Sequence, residues 1–407
     1  MSPIARTRLI LTAAVAAGFW LSIDPASQPL VVPAVAAEQL FSAERAVRHL
    51  AVIAAAPRPV GSEGHATTRA YLIEQVRQLG LTPDLQETTT ALRFPGAEGF
   101  GVGTVRNVIV RIEGTASLGI VLLSGHYDGA NTGPAAGDCG ACVVTLLEVL
   151  RALHAGPRLR NDVIVVFSDA EEVGDLGAHA FATQHPWMPD VRVALNFEAM
   201  GTGGPAELYV TSPGNRRLVA AFARHAPDAM GSSFMAELSP PVTRNACDLQ
   251  DYMDVGSAGL GFLFAGGTSA YHTILDDRER LDPKAVQHFG NYALGLVEHF
   301  GNDDLRDLRG NRDAVFFNVW PGLIAHYDQR WAVPLAVFGV LLLATTIVRG
   351  VKRRVLRPAG IALAAIAYLG GAILAVVTTA AVWWAIRLAT ANLQVFMVGH
   401  YQIGIYY

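Results

Sequence analysis

Apolar positions along this chain fall into blocks with two different periods. Short continuous apolar runs at Arg106–Ile112, Gly119–Ser124, Asp162–Ser168, Arg192–Phe197, Glu207–Thr211 and Leu260–Phe264 read as strands. Between them, helical spacing predicts helices at Ala141–His154, Leu176–Gln184, Arg216–His225 and Pro283–Phe300. Upstream, FSAERAVRHLAVIA and HATTRAYLIEQVRQLG read as two amphipathic helices around the turn APRPVGSEG. Strands without alternation are those covered on both faces. The expected fold is therefore α/β: a mostly parallel mixed sheet, helices on both faces in three layers, with transmembrane helices added.

Those added helices come from much longer apolar runs. Trp331–Val348 and Ala359–Ile386 are each long enough to span a bilayer, and Leu9–Ser22 is a shorter run behind Arg6 and Arg8. The competing reading of Trp331–Val348 and Ala359–Ile386 is a helical hairpin buried in a soluble core. Residues 1–36 are expected to be a signal peptide or an uncleaved anchor, with Ala34-Val35-Ala36 as an acceptable cleavage triplet. Residues 37–301 form the expected catalytic domain, 302–330 a polar and aromatic linker, and 331–407 the membrane region. Arg349, Lys352, Arg353, Arg354 and Arg357 crowd the link between the two long runs and place it in the cytoplasm. The arginines before Leu9 give the same orientation, so the central domain is expected on the extracytoplasmic side.

Composition supports this division. Of 407 residues 51% are hydrophobic and 16% charged, which is apolar for a soluble enzyme. A net charge of −4 and no basic stripe argue against nucleic acid as a partner. Three cysteines make no disulfide framework. Cys139 and Cys142 are expected as small packing residues in the first turn of a helix, with a redox pair as the alternative.

The candidate chemistry sits where strands end. His126 and Asp128 follow GIVLLSG, Glu171 and Glu172 follow DVIVVFSDA, Glu198 follows VALNF, and His272 follows GLGFLFAGGTSAY. Asp138 stands at the mouth of an apolar helix, where the ordinary role is an N-cap. Singly, each has a bland explanation. Together they lie at successive strand ends, where ligands of an open parallel sheet bind. Adjacent carboxylates after a buried strand repel unless a cation compensates, and two imidazoles among several carboxylates suggest a metal site, most simply a two-metal one.

The stretches PRPVGS at Pro57–Ser62, SGHYDG, AGDCGACVVTLLEVLRAL, FSDAEEVGDLGAHAF, NFEAMGTGG and YHTILDD resemble the zinc exopeptidase family. That family includes two-zinc aminopeptidases, glutamate carboxypeptidase-like enzymes and glutaminyl cyclases. The similarity runs from about Phe41 to Phe300, and the C-terminal apolar runs fit its membrane-tethered endoplasmic-reticulum-metallopeptidase branch. The resemblance implies two zinc ions per chain: His126 and Glu198 on one, Glu172 and His272 on the other, Asp138 between them. It further implies Glu171 as general base and Asp128 behind His126. The expected activity is a membrane-anchored aminopeptidase acting on peptides. A one-zinc glutaminyl cyclase or a non-catalytic binding protein on the same fold are the alternatives. Departures occur at Cys139 and in VTRNACDLQDYMD, where Asn245, Cys247 and Asp248, with Tyr271, are expected to line the pocket. Tethered members carry further spans, so a chain ending at QIGIYY is expected to be a short form or a truncated product.

Overall fold

The computed structural model describes residues 28–93, 100–236 and 247–389, with a few positions between 6 and 18. Half of the N-terminal apolar run Leu9–Ser22, and Asn245, lie outside the described residues. Seven strands form one sheet: β1 (Pro83–Arg93), β2 (Phe100–Ile112), β3 (Ile120–His126), β4 (Asp162–Ser168), β5 (Val191–Ala199), β6 (Glu207–Thr211) and β7 (Ala258–Phe264). Their order across the sheet is β1-β2-β4-β3-β5-β7-β6. The central four, β4, β3, β5 and β7, run parallel, and the pairs β1/β2, β2/β4 and β6/β7 are antiparallel. The mixed sheet expected from the sequence is the one observed. Strand β1, PDLQETTTALR, was not expected: it is an edge strand whose mostly polar, half-exposed residues give no apolar run.

The helices are α1 (Glu63–Gln78), α2 (Cys142–Ala155), α3 (Leu176–Gln184), α4 (Arg216–His225), α5 (Leu249–Asp254) and α6 (Pro283–Asn302). Successive residues of a strand point to opposite faces, and the two faces of β3 and β4 show it. Val121, Leu123, Val163 and Val165 enter one apolar layer with Leu146 of α2 and Phe289 of α6. Ile120, Leu122, Ile164 and Val166 enter the other with Phe181 of α3 and Tyr252 of α5. Every residue of β3, β4 and β7 is buried, as continuous apolar strands require. Truncating Phe289 to alanine in such a layer costs about 3–5 kcal/mol. Near the N-terminus, buried Glu148 on α2 accepts from Arg45 at 2.8 Å and Arg151 at 2.7 Å. The Arg45 bond, charge-assisted, fastens the helical stretch Ala43–Ile53 to α2.

Two corrections concern the sequence reading. Residues 302–330, expected as a linker, carry a hairpin of β8 (Ala314–Trp320) and β9 (Leu323–Asp328). Its Phe316 and Ile324, with Leu305 and Leu308 before it, are buried in the first apolar layer. Cys139 and Cys142, expected to pack with a redox pair as the alternative, are joined in a disulfide at the start of α2.

The chain divides into two compact units, Met1–Gln329 and Arg330–Tyr407. The second contains α7 (Ala332–Lys352) and α8 (Pro358–Ala389). The apolar segments Gln329–Lys352 and Pro358–Ile386 have mean hydropathies of 2.2 and 2.3, and none of their apolar windows is buried in protein. By length and composition both can cross a bilayer. Neither is buried as a helical hairpin in a soluble core would be.

Candidate metal centre

His126 is the last residue of β3, paired with Ser168 at the end of β4, while Glu198 lies near the end of β5 beside Leu263 of β7. All these ends face the same edge because the four central strands are parallel. Behind His126, Gly125 packs so tightly on α2 that an added Cβ would meet the Cβ of Cys142 at 2.8 Å. The strand end is thereby held against the helix that follows Asp138.

Asp138 is the hub. Its Oδ1 lies 3.2 Å from His126 Nε2, and its Oδ2 lies 2.8 Å from His272 Nε2. Glu198 Oε2 approaches His126 Nε2 at 3.5 Å, and Glu172 Oε2 approaches His272 Nε2 at 3.2 Å. Two sets of potential ligands result, His126–Asp138–Glu198 and Asp138–Glu172–His272, each with its atoms within 4.8 Å of one another. Cys139 Sγ lies beside the first set, but its bond to Cys142 leaves no thiolate to coordinate. Both sets combine imidazole and carboxylate, the chemistry that suits a divalent transition metal. Glu172 Oε1 is buried with no hydrogen-bond partner among the described residues. An orphaned anionic oxygen at that depth calls for a cation.

Glu171 and Asp128 support the cluster without standing in either set. Asp128 accepts the backbone N–H groups of Glu171 at 3.1 Å and Glu172 at 3.2 Å, which fixes the turn after β4. Its Oδ1 also lies 3.3 Å from His126 Nδ1, off the line of a hydrogen bond. Glu171 Oε2 lies 3.7 Å from His126 Nε2. Four residues other than glycine around the centre occupy left-handed backbone: Ala135 (φ 55°), Ala170 (φ 61°), Asp175 (φ 55°) and His272 (φ 53°). Such conformations cost of order 1–3 kcal/mol each and persist where surrounding structure imposes them.

Electrostatics follow from depth. Burial lowers the His126 imidazole, yet Glu171 and Glu198 outweigh it and hold the pKa well above the ordinary value. Burial also opposes His272, but hydrogen bonds to Asp138 and Glu172 push it up to about 10. Burial first, then the charges of Glu198 and Asp175, raises Glu171 well above the usual carboxylate range, despite His126. Asp138 is the exception: burial favours its neutral form, and the two histidines overcome it, leaving a depressed pKa.

Several supporting residues were invisible in the sequence. Arg58, fully buried, donates to the carbonyls of Tyr127 at 2.9 Å, Pro134 at 2.5 Å and Ala135 at 2.8 Å. It therefore braces the loop between β3 and Asp138, which gives PRPVGS a physical role. Asp276, from YHTILDD, accepts the N–H groups of Gly137 at 2.6 Å and Asp138 at 3.0 Å. Asp248 is fully buried and accepts from Ser168 Oγ. Cys247 is likewise buried. Tyr271 stacks on His272 with ring centres 3.8 Å apart.

Comparison with known proteins adds the context. Residues 107–297 match peptidase family M28. The chain is 29% identical over 311 residues to endoplasmic reticulum metallopeptidase 1 of Mus musculus, covering 71% of this chain and 34% of that one. It thus spans about a third of that relative's length. In fold it is similar to an aminopeptidase from Aneurinibacillus sp. strain AM-1, with a TM-score of 0.52 at 13% identity, over 64% of this chain and 95% of the other. Fimbriiglobus ruber glutaminyl cyclase gives a TM-score of 0.51 at 17% identity, over 68% and 99%. An aminopeptidase and a cyclase share the architecture, so fold alone does not choose between them.

Proposed function

We propose, from the premise that residues 107–297 are a segment of peptidase family M28, that this protein is a membrane-anchored zinc aminopeptidase. The observation that carries the reading is Asp138, whose two carboxylate oxygens face two different histidines. One carboxylate serving two imidazoles is what a bridging ligand requires. His126, Asp138 and Glu198 would hold one zinc, and Asp138, Glu172 and His272 the second. When bound, the pair supplies Lewis acidity toward a peptide carbonyl and acidifies a water.

The remaining steps belong to side chains. Glu171 receives a proton from the attacking water and returns it to the leaving amine. Asp128 holds Glu171 and Glu172 through their backbone amides, so base and ligand are positioned by one carboxylate. The apolar helices anchor the chain, and the basic link between them orients the catalytic unit away from the cytoplasm. The Cys139–Cys142 disulfide fits that oxidising side.

The test is the metal content of detergent-purified protein, paired with hydrolysis of aminoacyl-anilides before and after chelation. Two zincs per chain and chelator-sensitive release of N-terminal residues are the expected result. One zinc with cyclisation of N-terminal glutamine, and no anilide hydrolysis, would replace this reading with the cyclase one. Absence of metal after attempted reconstitution would leave a binding protein.

A further inference from the structure

The hairpin β8–β9 turns apolar side chains both inward and outward, with His326 the exposed polar residue on it. Its inner positions Phe316 and Ile324 are buried in the first unit, and Asp328 is buried beside Arg312 at 3.0 Å. On the outside, Phe317 (41% exposed), Val319 (53%), Trp320 (50%) and Leu323 (58%) face solvent. The register pairs Phe317 with Ala325 and Trp320 with Leu323, and a shift between Asn318 and Trp320 turns consecutive large residues outward. A helical turn at 233–236 adds Phe234, 72% exposed, and Met235. That turn is fastened to β8: Ser233 Oγ accepts from the Phe316 N–H at 2.8 Å, and the Gly231 N–H donates to Asn318 Oδ1 at 2.8 Å. None of these six outward side chains is charged.

We infer that this face rests in the interfacial layer of the bilayer that holds α7 and α8. The inference rests on the membrane-anchor reading and extends it to the first unit. An exposed apolar surface of this kind marks an interaction site, and chain continuity selects lipid as the occupant. Strand β9 ends at Asp328, and the apolar segment begins at Gln329. At roughly 3.3 Å per residue, Leu323 lies within ~20 Å of the point where the chain enters the membrane. The Arg330 guanidinium sits 5.8 Å from the ring centre of Trp331 at that entry, the arrangement of basic and aromatic residues found at membrane surfaces. Tryptophan and phenylalanine bury their rings there while the backbone amides of a hairpin stay paired.

Functionally, this contact gives the hydrolase a second foothold besides its helices. It holds the first unit at the lipid surface rather than on a free tether.

The full chain, reconstituted in phosphatidylcholine vesicles, provides the test. Cys247 is buried and the other two cysteines are bonded, so V319C, G339C and Q78C each offer one reactive thiol for an environment-sensitive fluorophore. Gly339 lies within α7, and Gln78 is exposed at the end of α1. The V319C label is expected to be protected from aqueous iodide and quenched several-fold more than the Q78C label by shallow nitroxide lipid. The G339C label is expected to respond to deep nitroxide lipid. Iodide quenching of V319C equal to that of Q78C overturns the inference, while a lipid-quenched G339C keeps the anchor. Protection of V319C from both quenchers means that protein covers the face, which also overturns it. A G339C label untouched by lipid removes the anchor reading, and this inference with it.

Discussion

The carboxylate of Asp276 holds the backbone of Asp138: its Oδ2 accepts the Asp138 N–H at 3.0 Å, while Oδ1 takes the Gly137 N–H at 2.6 Å. With its main chain clamped in this way, Asp138 faces both histidines. The clamp leaves no slack, since a Cβ on Gly137 would meet the Gly201 carbonyl oxygen at 2.1 Å.

Asp276→Asn should therefore weaken metal binding. An amide has one acceptor oxygen, and its NH2 group would face the second backbone N–H, donor against donor. Loss of such an outer partner typically costs 10–100-fold in metal affinity, so roughly that drop is expected in competition with a chromogenic chelator. Unchanged affinity would show that the loop holds its shape without the clamp.

Arg58 should matter for folding rather than chemistry. Arg58→Lys keeps the charge but loses the planar fork that reaches the carbonyls of Ile53, Tyr127, Pro134 and Ala135. With buried acceptors left unpaired, stability should fall by about 2–4 kcal/mol. A thermal melt reads this as a midpoint several degrees lower, with zinc content preserved in the folded fraction.

Glu171 stands outside both ligand sets, and that separates its role from theirs. In Glu171→Gln, kcat should fall by roughly 10²–10⁴-fold, the usual worth of general acid–base catalysis, while metal content stays at the wild-type value. If the variant loses zinc instead, Glu171 is a ligand and the assignment within the Glu171–Glu172 pair reverses.

Asp248 predicts a pH dependence of stability. Burial, then the charge of Glu198, lifts its carboxyl from 3.8 to about 8. Between those values the folded chain binds a proton that the unfolded chain has released, so this group's contribution declines as pH rises through the window. Asp248→Asn removes the titration and keeps an oxygen to accept from Ser168 Oγ. Between about pH 5 and pH 8 its melting midpoint should decline less than the wild type's; parallel curves would place the titration elsewhere.

The sequence alone carried the six strands of the sheet that read as apolar runs, the principal helices after them, and the two long apolar helices. Each is a local pattern: buried on both faces, buried on one stripe, or too long for a soluble core. It missed β1, whose edge position asks for no apolar run, and the β8–β9 hairpin, whose aromatic and polar residues read as a linker. For Cys139 and Cys142 it favoured packing over the paired alternative, because a spacing of three does not distinguish packing from bonding.

The chain's order of residues likewise named His126, Asp128, Asp138, Glu171, Glu172, Glu198 and His272, since chemistry-bearing side chains at successive strand ends are a one-dimensional signal. What only the tertiary structure decided is how they are held. Arg58 reaches the carbonyls of Tyr127, Pro134 and Ala135 from more than sixty residues away, and Asp276 clamps Asp138 across 138 positions of sequence. Hydrogen bonds of that range carry no periodicity, because their partners are backbone atoms that every residue possesses. Folding alone brings them within reach.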